Sequence, residues 1–243
     1  MKKHASTSLR TMSFLRTSLL ASLLCCGLVV PGVVAAGGGK PARPALPGEI
    51  LVKLQSNDVL PDLLTRYGLT VADQFGTRPI YRLLADPANN LGATIAALHT
   101  EIGVLMAEPN YEHSSPEARK NHAWAIGEPT AYATQWAPQA INLADAHRLS
   151  RGAGVRVAVL DTGVDRAHPE LAGRLLPGFD FVDFDSDPSE AADPGAIAYG
   201  HGTHVAGLVA LVAPDAMIMP LRVLDANGVG NAWVLAEALL HAA

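Results

Sequence analysis

Two side chains able to move a proton stand 40 residues apart, each in a dense local motif. Asp161 closes the run Val157-Ala158-Val159-Leu160-Asp161-Thr162-Gly163, and His201 lies in Gly200-His201-Gly202-Thr203-His204-Val205-Ala206-Gly207. A carboxylate and an imidazole are the supporting pair of a Ser/His/Asp triad. The carboxylate holds the Nδ1–H tautomer and stabilises the imidazolium formed when the ring takes a proton from the nucleophile. When the order is Asp then His, the nucleophile comes last. No serine follows Ser189, so these residues indicate nucleophilic catalysis without supplying its hydroxyl.

Each residue also has a plainer reading. Asp161 ends an apolar run that reads as a buried strand, and parallel sheets present functional groups at the carboxyl ends of their strands. A carboxylate there can equally cap the following turn. His201 precedes the apolar run Val205 to Val212, so it falls in the first turn of a buried helix, where packing fixes a base closely. Gly200 and Gly202 leave room for close backbone approach. His201 and His204, three apart, could instead bind a metal, but only Asp161 offers an obvious third ligand.

The elements that must position this pair run from about residue 135 to 243. The pattern predicts a helix over 142–148, a strand over 155–160, an acidic loop over 180–193, a helix from 201, a strand over 217–224 and a helix over 231–242. Continuous apolar strands alternating with helices predict an α/β fold with a parallel sheet. In the last helix Trp233, Leu235, Leu239 and Leu240 read as core.

Upstream, residues 48–113 form a separate pattern. It predicts a strand over 49–54, a helix over 59–67 stopped by Gly68, strands over 69–75 and 79–84, a helix over 90–102 and a strand over 105–112. Ile95, Leu98 and Ile102 share one face of the second helix. The order βαββαβ is a split pair of βαβ units with ferredoxin-like topology. Residues 114–134 are polar and turn-rich and read as a linker.

Composition narrows the function classes. At 49% hydrophobic residues and a mean hydropathy of +0.19, the chain can bury a core. Four of its 18 basic residues, Lys2, Lys3, Arg10 and Arg16, fall in the first 36 positions, where no acid stands; the remaining 14 face all 23 acids. That balance argues against nucleic acid as a partner, because phosphate binding needs clustered Lys and Arg. The basic start, the uncharged run 17–34 and the small residues Val34-Ala35-Ala36 have the layout of a secretory signal peptide over 1–36. A membrane anchor is the alternative. Both cysteines, Cys25 and Cys26, fall inside that stretch, so cleavage would leave neither disulfide nor thiol nucleophile.

Taken together, the motifs resemble the subtilisin-like serine peptidases, the subtilases. Leu160-Asp161-Thr162-Gly163-Val164-Asp165 with His168-Pro169-Glu170-Leu171 is similar to that family's aspartate motif, and His201 to Gly207 to its histidine motif. Ala213-Pro214-Asp215-Ala216 and Leu221 to Gly230 continue the likeness. The upstream unit, ending in Glu108-Pro109-Asn110-Tyr111, resembles the subtilase propeptide, an inhibitor and intramolecular chaperone.

The resemblance implies an α/β, parallel-sheet, subtilisin-like catalytic domain, incomplete over 135–243, preceded by an α+β ferredoxin-like propeptide. It implies Asp161 as the orienting group, His201 as general base and then acid, and a polypeptide as substrate. Gly228 and Gly230 would lie on an edge segment that pairs with the substrate backbone, an ordinary turn being the alternative. Gln135 and Glu170 are weak candidates for calcium, because the histidine helix joins Ala213-Pro214 without the loop that wraps that ion in many relatives.

The family's nucleophile motif, Gly-Thr-Ser-Met-Ala-x-Pro, and its oxyanion asparagine have no counterpart in these residues. The expectation is therefore a secreted or cell-envelope serine endopeptidase precursor, truncated before the serine and inactive alone. The alternative is a non-enzymatic inhibitor or folding chaperone acting through residues 48–113. Neither nucleic acid nor, after signal cleavage, a stable membrane association is expected. An apolar sheet edge left open would favour aggregation.

Overall fold

The computed structural model describes residues 43–115, 131–132, 134–190 and 195–243. The signal segment 1–36 and most of the linker 114–134 lie outside them. No helix among the described residues is long and apolar enough to cross a membrane.

The upstream pattern folds in the expected order. β1 (Ala45–Leu54), α1 (Leu60–Tyr67), β2 (Leu69–Gln74), β3 (Ile80–Ala85), α2 (Leu91–Leu98) and β4 (Val104–Ser114) form a sheet ordered β2-β3-β1-β4. β1 pairs antiparallel with both β3 and β4. Ile50, Val52 and Leu54 alternate onto one buried face, where Leu63 of α1, Leu83 of β3 and Leu98 of α2 complete a core. Gly68 stops α1 in the left-handed region (φ 61°), a conformation that costs glycine little.

The second helix is shorter than its apolar spacing predicts. It ends at Leu98, the chain turns through Gly103 (φ 88°), and Ile102 is 95% exposed instead of lying on the buried face. β4 runs on to Ser114, so the strand enters what reads in sequence as linker.

The second half is built on β5 (Arg156–Asp161), β6 (Phe179–Asp180) and β7 (Met217–Arg222), all parallel, in the order β5-β7-β6. Helices α3 (Trp136–Ala140) and α4 (Leu143–Leu149) precede the sheet. α5 (His201–Val212) and α6 (Ala232–Ala242) belong to two separate cores. Val159 and Ile218 pack with Ala206 and Ala210 of α5, whereas Leu221 and Val223 pack with Val234 and Ala238 of α6. Val157 joins the first cluster and Ala158 and Leu160 the second, which is the alternation of a strand covered on both faces.

β6 is a finding of the structure. Two residues inside an acidic stretch carry no strand signal, yet they bind β7 beside the Arg222–Asp180 ion pair. Leu239 and Leu240, expected in the core, are exposed, while Trp233 is buried. Finally, β8 (Val229–Asn231) pairs antiparallel with β4, with Glu112 opposite Asn231, His113 opposite Gly230 and Ser114 opposite Val229. The upstream sheet thereby gains a fifth strand from the downstream half.

Candidate active site

Asp161 is the last residue of β5, in register with Arg222 at the end of β7, so it stands at the carboxyl edge of the parallel sheet. Its backbone is fixed there, because Val223 and Leu224 both donate N–H bonds to its carbonyl (2.8 and 3.2 Å). The Thr162 N–H donates to Oδ1 (2.7 Å), and the same oxygen faces His201 Nδ1 at 2.6 Å. An ionised carboxylate only accepts, so the proton of this short bond belongs to Nδ1 and Nε2 is left as the basic nitrogen. Both side chains are about nine-tenths buried. Burial strengthens the bond and excludes competing water.

Local backbone geometry delivers the imidazole. Gly200 is the N-cap of α5 at φ 85° and provides no capping side chain. A Cβ on Gly202 would collide with the Gly163 carbonyl oxygen, so the helix can approach the turn after β5 only with glycine here. The helix's leading N–H groups bond elsewhere. His201 donates to the Ala198 carbonyl (3.1 Å), Gly202 to Thr162 Oγ1 (3.0 Å) and Thr203 to Glu190 Oε1 (3.3 Å).

Glu190 is a member of this cluster that the sequence does not single out. Its Oε1 also accepts from Thr162 Oγ1 (3.1 Å) and its Oε2 from Gly200 N–H (3.1 Å). Burial pushes its carboxyl up, against the opposing pull of bonds from Thr203, Thr162 and Gly200. Its one sequence signal is an acid shortly before a helix start. Ser189, the last serine, donates its hydroxyl to Asp187 (2.6 Å).

The other sequence candidates fall elsewhere. His204 is not gathered with His201 and Asp161 into an ion site, since among the described residues no three His, Cys, Asp or Glu side chains converge as one. Gln135 turns Nε2 to the Tyr132 carbonyl (2.7 Å), and Glu170 is exposed. Gly228 (φ 74°) and Gly230 flank Val229 on the β8 edge, and β4 of the same chain lies along that edge. A Cβ on Gly230 would stand 2.5 Å from the Val223 carbonyl oxygen and 3.0 Å from His113 Nε2.

The carboxylate–imidazole pair at the end of a parallel strand, with the histidine opening a buried helix, agrees with the outcome of comparing the sequence with known proteins. Residues 152–240 match the subtilase family, and residues 33–110 match the fervidolysin N-terminal prodomain. These matches make the downstream half similar to the subtilases.

The chain is 36% identical over 165 residues to the thermophilic serine proteinase of Bacillus sp. (strain AK1), an overlap of 63% of this chain and 38% of that one. It is 38% identical over 126 residues to thermitase of Thermoactinomyces vulgaris, covering 48% of this chain and 43% of thermitase. Its fold is similar to that of fervidolysin from Fervidobacterium pennivorans, a keratinolytic enzyme related to subtilisin. The TM-score is 0.60 at 23% identity, over 82% of this chain and 34% of fervidolysin. The chain therefore spans about two-fifths of the length of these curated relatives. The prodomain match begins at residue 33, inside the stretch that reads as signal peptide.

Proposed function

We propose that residues 135–243 carry the Asp/His part of a serine endopeptidase's catalytic site and that residues 48–113 are its prodomain. The single observation that carries this reading is the 2.6 Å bond between His201 Nδ1 and Asp161 Oδ1, buried at the carboxyl edge of the sheet. His201 Nε2 accepts the proton of an attacking hydroxyl and returns it to the leaving amine. Asp161 holds the ring's tautomer and stabilises the imidazolium between those two transfers.

No serine follows Ser189, and Ser189 itself is bonded to Asp187. On this reading the nucleophile and the oxyanion donors come from polypeptide other than residues 1–243, and these residues alone do not turn over peptides. Loss of one oxyanion donor alone costs on the order of 10² to 10³ in rate. The purified 243-residue chain, assayed with casein and a fluorogenic peptide, is expected to show no turnover. Turnover abolished by His201→Ala would overturn this.

A second role for the upstream unit is favoured by the β4–β8 pairing. β4 occupies the edge that a substrate would join as an added strand, which supports inhibition of the peptidase by its own prodomain. Titration of residues 43–115 against an active subtilase is expected to give inhibition, and none would sink this role. Export is proposed from the basic and apolar layout of residues 1–36. Its check is the N-terminal sequence of secreted protein, with a start near Gly37 expected.

A further inference from the structure

We infer that Glu190 is a positioning residue, which sets the Asp161–His201 geometry by clamping the turn after β5 to the first turn of α5. The inference rests on the reading of Asp161 and His201 as the catalytic pair.

The two members of the pair come from different elements, so a bond of 2.6 Å between them requires those elements to be locked together. Cores alone do not fix a helix end. The first N–H groups of a helix have no intrahelical acceptor, and the N-cap here is Gly200, which has no side chain to supply one. The acceptors come from outside the helix. Besides the Ala198 carbonyl they are Thr162, the residue after Asp161, and Glu190.

Their bonds form a closed circuit. The Thr162 N–H holds Asp161 Oδ1, and Thr162 Oγ1 accepts the Gly202 N–H, directly after His201. A hydroxyl has one proton, and Thr162 gives it to Glu190 Oε1 (3.1 Å). That carboxylate also receives the N–H of Gly200, directly before His201, and of Thr203, two residues after it. One side chain thus touches the backbone on both sides of the base and the residue that holds the orienting carboxylate.

Glu190 is itself anchored. Val164 N–H donates to the Pro188 carbonyl (3.0 Å) and Glu190 N–H to the Val164 carbonyl (3.3 Å), stitching 188–190 along the turn after β5. A Cβ on Gly163 would stand 2.8 Å from the carbonyl oxygens of Pro188 and Ser189, so glycine permits this approach. Three bonds to one anionic site at the positive end of α5 also make a charged acceptor more effective than a neutral one. A misplacement of about 1 Å in such a constellation can cost about 10² in rate.

The test does not need turnover. A short, buried Nδ1–H···Oδ1 bond gives a far-downfield proton resonance, which NMR of the 243-residue chain reads directly. Glu190→Gln is expected to move that resonance upfield or abolish it. Exchange of the Gly200, Gly202 and Thr203 amides should also quicken by roughly tenfold or more, with circular dichroism unchanged. Thr162→Ser keeps the hydroxyl and is expected to keep the resonance.

Faster exchange with the resonance unmoved means that Glu190 only caps the helix, and overturns the inference. No downfield resonance in the unmodified chain overturns the Asp161–His201 reading itself, and the inference with it. Should Glu190→Gln not fold, Thr162→Val removes the hydroxyl that links Glu190 to Gly202. An unchanged resonance in that variant overturns the inference as well.

Discussion

Asn110 Oδ1 accepts the backbone N–H of Trp233 at 3.2 Å, so a fully buried side chain of the upstream unit caps a helix 123 residues further along the chain. The same amide donates to Glu49 Oε2 (2.7 Å) and to Asn231 Oδ1 (3.3 Å), and Asn231 in turn caps α6 through the Val234 N–H (3.1 Å). The two halves of the chain are therefore joined by a polar knot with its groups paired, not by apolar contact alone.

Removing Asn110 should uncouple the halves. Asn110→Ala leaves the Trp233 N–H and a Glu49 oxygen short of a partner in a buried place, at a cost of about 1–3 kcal/mol for each group left unsatisfied. The expected result is a lower urea midpoint and faster amide exchange through the first turn of α6. The exchange of β5 and β7 should be unaffected. An unchanged midpoint would show that the knot contributes nothing.

The same interface carries two titrating groups of opposite sign. Glu237 on α6 has Oε1 buried without a partner among the described residues. Burial first and the charge of Asp73 second push its carboxyl up, with Arg82 opposing. Its ionisation therefore costs docking, and the contribution present in the ordinary carboxylate range (about 4.3) is lost as pH rises above it. His113, half-buried on β4, is pushed down by burial, so its contribution is present above about 6.5 and lost as pH falls.

Trp233 reports on this docking, because it lies edge-on to Phe75 (5.9 Å) with the Arg82 guanidinium 6.0 Å from its ring. In a Trp124→Phe, Trp136→Phe background, its fluorescence is expected to report two losses, one as pH rises above the ordinary carboxylate range and one as pH falls below about 6.5. Glu237→Gln should abolish the loss on the rising side and His113→Gln the loss on the falling side. Identical profiles for all three proteins would refute the assignment.

Gly230 gives a steric handle on the same junction. Its α-carbon faces the Val223 carbonyl, which is backbone and cannot swing away. Gly230→Val should push β8 off β4, an overpacking cost of about 1–3 kcal/mol. Limited proteolysis is expected to cut near Ser114 and Ser115 faster in this variant. Equal cutting rates would mean that β8 tolerates a side chain.

These relationships mark where the sequence is legible and where it is not. Asp161 and His201 can be read because each sits in a contiguous motif whose neighbours, a buried strand end and a glycine-flanked helix start, are local. The βαββαβ order can be read because the apolar period changes at Gly68 and again near Asn90. Glu190 and Asn110 cannot, since their partners lie 10 to 28 and 61 to 123 residues away and nothing local distinguishes a bonded acid or amide from a solvated one. Trp233 reads correctly as buried, but periodicity does not say that the upstream unit covers it. Ile102 fails for the converse reason: its spacing suits a helix that has already ended at Leu98.

Arg222 supplies a test of the scaffold beneath the site. It ends β7 in register with Asp161, and its Nη1 bonds Asp180 of β6 (2.5 Å) and also Asp183, while Asp180 accepts N–H bonds from Val182 and Asp183. Arg222 and Asp180 are both buried. Arg222→Ala would leave the Asp180 carboxylate buried and uncompensated, a loss of about 3–5 kcal/mol. Arg222→Met with Asp180→Leu removes both charges and is expected to recover much of it, because a buried pair contributes little beyond cancelling its own desolvation. Thermal unfolding of the single and double variants checks this. A double variant no more stable than Arg222→Ala would mean that β6 is held by the ion pair specifically, and that the edge beside Asp161 depends on it.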